Sequence, residues 1–157
     1  MLDAEGEPLR LGAEADPFLV SPNEREAEGL VGQEFHDSRD FVHALNHIAD
    51  IGPRNVVITI SSGCYALLRE EREPVRYHAS VPRVEPVSPV GSGDVLLAGF
   101  IAARYERRSA EEALRRAVAA GAAAVQEVGA GRFEPHAIAR LEEDVRVEHL
   151  DKVVSEL

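Results

Sequence analysis

Apolar positions in this chain change rhythm from segment to segment, and each rhythm predicts an element. Phe18-Leu-Val, between Pro17 and Pro22, and Val56-Val-Ile-Thr-Ile are short unbroken runs. Runs of this kind predict strands, the second buried on both faces as in parallel sheets. Asn23 follows the first run and Glu26 stands three positions on, the pattern of a helix N-cap with its capping-box glutamate. Residues 38–51 predict a helix that ends at Gly52-Pro53. Residues 66–69 and 75–80 are apolar stretches separated by charges, which predicts a hairpin at a sheet edge. Residues 93–106 are apolar all round near their start and predict a central helix. Ser109 with Glu112 forms a second capping box, opening an alanine-rich helix through Val125. Pro135 suits the first turn of a last helix, and Val145-Arg-Val a final strand. No repeat, low-complexity segment or linker interrupts the series, so residues 1–157 read as a single domain.

Composition narrows the partners. With 157 residues and 45% apolar content, the chain has enough material for one core. No run is long enough to span a bilayer, and no signal-peptide pattern is present. The formal charge of −11 argues against nucleic acid or an anionic membrane as a partner. Cys64, the single cysteine, excludes an internal disulfide and fits a cytoplasmic location. Lys152 is the only lysine, which leaves no lysine for a phosphate site in the core.

The candidate chemistry lies in Val87-Ser-Pro-Val-Gly-Ser-Gly-Asp-Val-Leu-Leu-Ala-Gly-Phe. Gly91, Ser92 and Gly93 make a tight turn ahead of an apolar helix. First-turn amides lack intrahelical partners and carry partial positive charge, and glycine lets an anion approach them. Asp94 would compete with that anion unless it takes a proton from a hydroxyl attacking it. Ordinary helix capping explains the tetrapeptide equally well.

The flanking residues separate the two readings. Pro-Val-Gly-Ser-Gly-Asp followed by Leu-Leu-Ala-Gly-Phe resembles the signature of the ribokinase-like sugar kinases, especially their 1-phosphofructokinase and tagatose-6-phosphate kinase branch. Further landmarks follow in the family's order: Asn23-x-x-Glu26 after a strand, Val56–Ile60 leading into a nucleotide loop, and Ala119–Val125 with Gly129-Ala-Gly-Arg-Phe near an adenine pocket. The resemblance implies an α/β fold of three layers, a mostly parallel sheet flanked by helices. It implies ATP as phosphoryl donor, magnesium, and a sugar phosphate as acceptor. Asp94 becomes the catalytic base and Gly91, Ser92 and Gly93 the anion hole. Thr59, Ser61, Gly63, Gly129 and Gly131 become nucleotide-binding, and Asn23 and Glu26 place magnesium through water.

Departures from the family's pattern are also legible. Its nucleotide loop reads Thr-x-Gly-x-x-Gly, whereas Thr59-Ile-Ser-Ser-Gly has Ser61 at the first glycine and is one residue short. Ser21 stands where the sugar-phosphate branch often has lysine. Relative to the family, the chain is expected to hold only the C-terminal half, without the lid and most sugar-binding residues, and to be inactive alone. Met1–Glu7 resembles the end of an internal strand and its following loop. The rival reading is a catalytically silent remnant that binds nucleotide weakly or not at all and self-associates through an unpaired sheet edge.

Other clusters read more simply. His43 and His47 have helical metal spacing near His36, but nothing completes a ligand set. Glu142-Glu-Asp reads as a solvated face. Gly121 in its alanine run serves either close helix packing or a flat ligand.

Overall fold

The computed structural model describes residue 2 and residues 4–70, 73–82, 87–88, 90–126 and 134–151. Its elements are α1 (Gly6–Ala13), β1 (Leu19–Val20), α2 (Glu24–Val31), α3 (Ser38–Ile51), β2 (Asn55–Ile60), β3 (Gly63–Arg69), β4 (Pro74–Ser80), α4 (Ser92–Tyr105), α5 (Ala110–Val125), α6 (Pro135–Asp144) and β5 (Arg146–His149). The strands form a five-stranded sheet in the order β1-β2-β3-β4-β5. β1 and β2 pair in parallel, with Leu19 opposite Asn55 and Val20 opposite Val56. Ser61-Ser62 alone joins β2 to β3, a connection that only an antiparallel pair can make. The sheet is therefore mixed, its parallel character residing at β1 and β2.

The chain divides into two compact units, residues 1–60, 64–78 and 149–157 in the first and residues 61–63 and 79–148 in the second. In the first unit α3 buries Phe41, Val42, Ala44, Leu45, Ile48 and Ala49 in a cluster with Val20, Val56, Ile58, Tyr65 and Leu67. Strand residues of the opposite parity, Val57, Cys64, Ala66 and Leu68, are buried too, as an unbroken apolar run requires. Phe41 and His78 stack on the ring of Tyr65, with centroids at 4.1 and 4.4 Å, and the Tyr65 hydroxyl lies 3.0 Å from Ser38 Oγ. Buried Asn55 ties its neighbours together: Nδ2 donates to the Phe18 carbonyl at 2.8 Å, and Oδ1 accepts from the Arg69 amide at 2.9 Å. That satisfied side chain explains a polar residue at the start of a core strand.

The sequence pattern misses α1. Leu2 forms a parallel bridge to Val20, consistent with a strand end there, but the chain turns helical from Gly6. Its glycine, proline and charges obscure the period, yet Leu9 and Ala13 supply a buried edge. β3 also begins earlier than expected, at Gly63, because Cys64 and Tyr65 continue the strand's burial.

In the second unit α4 and α5 pack through small residues. A Cβ added at Gly99 would lie 3.0 Å from Ala120 Cβ, and one at Gly121 would lie 3.1 Å from Leu96 Cβ. Close packing therefore accounts for Gly121. Arg116 pairs with Glu142 at 2.9 Å, and Arg115 donates to the Val145 carbonyl, linking α5 to α6 and its exit. Helix α4 is less enclosed than its composition suggests: Val95, Leu96, Leu97, Phe100 and Ala103 are buried, whereas Ile101 and Tyr105 are exposed.

Candidate functional site

Each unit holds part of the predicted constellation. In the first, β1 runs into Pro22 and then Asn23, the N-cap of α2. Asn23 has extended backbone, as a cap requires, and Oδ1 accepts from the Glu26 amide at 2.9 Å. Glu26 Oε2 accepts in return from the Asn23 amide at 2.8 Å. Thr59 bridges to Asn23, its amide donating to the Pro22 carbonyl at 3.0 Å. Asn23, Glu26 and Thr59 thus gather at the C-terminal ends of the two parallel strands, where open α/β sheets bind ligands. Sequence reasoning named these residues separately. The pairing register of β1 with β2 is what joins them.

The donor chemistry can be tested for magnesium. One carboxylate and one amide make a thin inner sphere for an ion that keeps several waters and leans on substrate phosphates. Asn23 Oδ1 and Glu26 Oε2 are already committed to the capping box. The pair fits a water-mediated role.

In the second unit, Gly91 is the N-cap of α4 in the left-handed conformation, φ 79° and ψ 2°. A glycine carries no side-chain oxygen, and Gly91 makes no side-chain cap hydrogen bond to the first turn. The first helical bond runs from the Val95 amide to the Gly91 carbonyl at 3.1 Å. Gly93 and Asp94 are exposed, and a Cβ built on Gly93 meets nothing within 4 Å. The helix therefore opens at the turn where the sequence predicts an opening. Open space therefore lies over Gly93, with the exposed Asp94 beside it in the first turn.

Ser61 and Ser62 form the tight turn between β2 and β3. The Ser62 carbonyl accepts from the Val81 amide at 3.0 Å. Gly63 is buried with φ 150°, and an added Cβ would collide with the Ala79 carbonyl. Its lack of a side chain is thus already required by the sheet. Gly129, Gly131 and Phe133 lie outside the described residues. Among the described residues, no group of three or more His, Cys, Asp or Glu is placed to hold a metal.

Residues 4–137 match the pfkB family of carbohydrate kinases. The chain belongs to that family. Among pfkB relatives, 1-phosphofructokinase of Vibrio cholerae is 31% identical over 150 residues, covering 96% of this chain and 46% of the relative. The structure of phosphofructokinase-2 from Escherichia coli in complex with potassium superposes with a TM-score of 0.75 at 27% identity, over 88% of this chain and 45% of the other. Arabidopsis thaliana ribokinase with ribose and ATP gives a TM-score of 0.67 at 28% identity, over 80% and 40%. The chain thus spans less than half the length of these relatives. The mixed sheet flanked by helices is a partial ribokinase-like fold.

Proposed function

We propose that this chain carries the phosphoryl-transfer portion of an ATP-dependent sugar-phosphate kinase of the 1-phosphofructokinase type. The observation that carries the reading is the opening of α4 in a pfkB-family chain: a left-handed Gly91 without a side-chain cap, and an exposed Asp94 in the first turn. In the proposed reaction a sugar hydroxyl attacks the γ-phosphorus of ATP, and the bond to the bridging oxygen breaks to release ADP. Asp94 accepts the hydroxyl proton, which becomes acidic as the new bond forms. The amides of Gly91, Ser92 and Gly93 hold the charge on the transferred group. Asn23 and Glu26 would orient magnesium through water, and the ion would neutralise phosphate charge. Thr59 and Ser61, with Gly129 and Gly131, would bind the nucleotide, whereas buried Gly63 serves the sheet. No helix among the described residues is long and apolar enough to cross a membrane, and the net charge of −11 disfavours nucleic acid, so small molecules in the cytoplasm are the proposed ligands.

Magnesium-ATP titrated into the 157-residue chain should move the backbone resonances of residues 91–94, and Asp94→Asn should leave the affinity nearly unchanged, because a base acts on the acceptor. Because the chain spans 46% of a 1-phosphofructokinase, release of ADP in the presence of sugar phosphates is expected to be undetectable. Asp94-dependent turnover would assign the whole reaction to these residues. ATP binding that leaves residues 91–94 untouched would sink the assignment.

The second reading is a silent, self-associating module. It is favoured by the tight Ser61-Ser62 turn, where Gly63 serves the sheet, and by the sheet edge at β5. Absence of any ATP response would favour it. Phosphofructokinase-2 of Escherichia coli is known in a tetrameric inhibited form, and sedimentation of this chain would show whether it associates likewise.

A further inference from the structure

We infer that Gly121, at the far end of α5 from its cap, is a positioning residue for the anion turn at the start of α4. The inference rests on the proposed role of that turn and extends it to a residue that touches no substrate. Two separate observations meet there. A Cβ on Gly121 would lie 3.3 Å from the Ser92 carbonyl oxygen and 3.1 Å from Leu96 Cβ, so the bare backbone of α5 sets how closely the first turn of α4 can approach. One helical turn further on, the Val125 carbonyl accepts from the Val87 amide at 2.7 Å and from the Ser88 amide at 3.0 Å. The C-terminal part of α5 therefore holds the segment entering the turn by two hydrogen bonds and the segment leaving it by close packing.

Bound charge makes this contact matter. Amides that stabilise a transferred phosphoryl group act through their position, and displacements well below an ångström weaken them. The added methyl of an alanine at 121 is tighter than ordinary contact, so Ser92 and Leu96 must give way by a few tenths of an ångström. Ser92 and Leu96 flank Gly93 and Asp94, so movement there re-aims the amides between them. Gly99 provides the comparison. It is equally tight against α5, at 3.0 Å from Ala120 Cβ and 3.3 Å from Ala117 Cα, but faces the middle of the helix pair. Both substitutions strain the packing, whereas only the one at 121 presses on the turn.

The test uses the full chain, inorganic phosphate as the probe, and amide resonances as the readout. Gly121→Ala should shift the Gly93 and Asp94 resonances in phosphate-free protein and weaken phosphate binding about tenfold, a factor that corresponds to about 1.4 kcal/mol. Gly99→Ala should leave both unchanged while lowering thermal stability comparably. Unchanged Gly93 and Asp94 resonances in Gly121→Ala, or an equal effect of Gly99→Ala, would overturn the inference. Should Gly121→Ala fail to fold, Ser88→Pro decides the matter, because it removes one amide donor to Val125 from a surface segment. Resonances of residues 92–94 must then shift, and their constancy counts against the inference. A wild-type chain that ignores phosphate would remove the proposed role of the turn, while the phosphate-free shifts still judge whether Gly121 positions it.

Discussion

Asn23 and Glu26 hold one another's backbone. Asn23 Oδ1 accepts from the Glu26 amide at 2.9 Å, and Glu26 Oε2 accepts from the Asn23 amide at 2.8 Å. The same two residues are the proposed water-mediated ligands of magnesium. The capping function and the proposed ion-orienting function therefore fall on one pair of side chains, and substitutions can pull them apart.

Asn23→Ala should destabilise the chain by about 0.5–2 kcal/mol through loss of the cap, measured by urea unfolding. Asn23→Asp keeps an accepting oxygen and should restore most of that stability. If Asn23 also serves magnesium, Asn23→Asp will change the magnesium dependence of ATP binding while leaving stability near wild type. Identical behaviour in both assays would reduce the pair to capping alone.

Gly63 and Gly93 look alike in the sequence, and the structure gives them opposite roles. Gly63 has φ 150°, and an added Cβ would collide with the Ala79 carbonyl. Gly63→Ala should cost about 1–3 kcal/mol from backbone strain alone, with more from the collision. Gly93 sits in the first turn of α4 with open space around its missing Cβ. Gly93→Ala should be neutral or stabilising by up to about 1 kcal/mol, since alanine favours helix. It should nevertheless weaken phosphate binding, because a methyl group then stands where an anion approaches the amides. Paired unfolding and phosphate titrations check both halves, and a destabilised Gly93→Ala would contradict the open turn.

Much of this architecture was legible because local signals agreed with tertiary ones. The boxes at Asn23 and Ser109, the glycine ending α3 and the proline in the first turn of α6 are short-range chemistry that burial does not override. Helix α1 was hidden because it buries only Leu9 and Ala13 and has no side-chain cap. The start of α4 was legible at the candidate turn, because the glycines at 91 and 93 mark it in the sequence. Placement was not legible for Thr59, whose proximity to Asn23 depends on strand pairing, or for Gly121, whose contact with Ser92 depends on helix packing. Neither is written in a local pattern.

Cys64 should be inert in the folded chain. Burial pushes its thiol up from 9.0 to about 12, because the thiolate would lose its hydration. A thiol reagent at neutral pH should label it only on unfolding. The sign for stability follows from linkage. Between about pH 9 and 12 the unfolded thiol gives up its proton while the folded one keeps it, so stability falls as pH rises through that window. Cys64→Ala should flatten the alkaline limb of a stability profile. Rapid labelling of the native chain would show that the segment opens.

The turn at Ser61-Ser62 offers the clearest separation of the two functional readings. Two residues span β2 to β3, and the Ser62 carbonyl is engaged by the Val81 amide at 3.0 Å. The resemblance implies a longer glycine-containing loop there, with amides turned to a nucleotide. Ser61→Gly with one residue inserted after it should give the turn that length and the backbone freedom to turn its amides outward. Three-residue turns are among the commonest hairpin connections, so the fold should tolerate the change. Calorimetry should then show tighter magnesium-ATP binding than wild type, and combining the repair with Asp94→Asn should preserve the gain. A repaired chain that folds normally and still ignores ATP would mean that the nucleotide pocket is lost beyond this loop. The silent-module reading would then explain the chain better than the kinase reading.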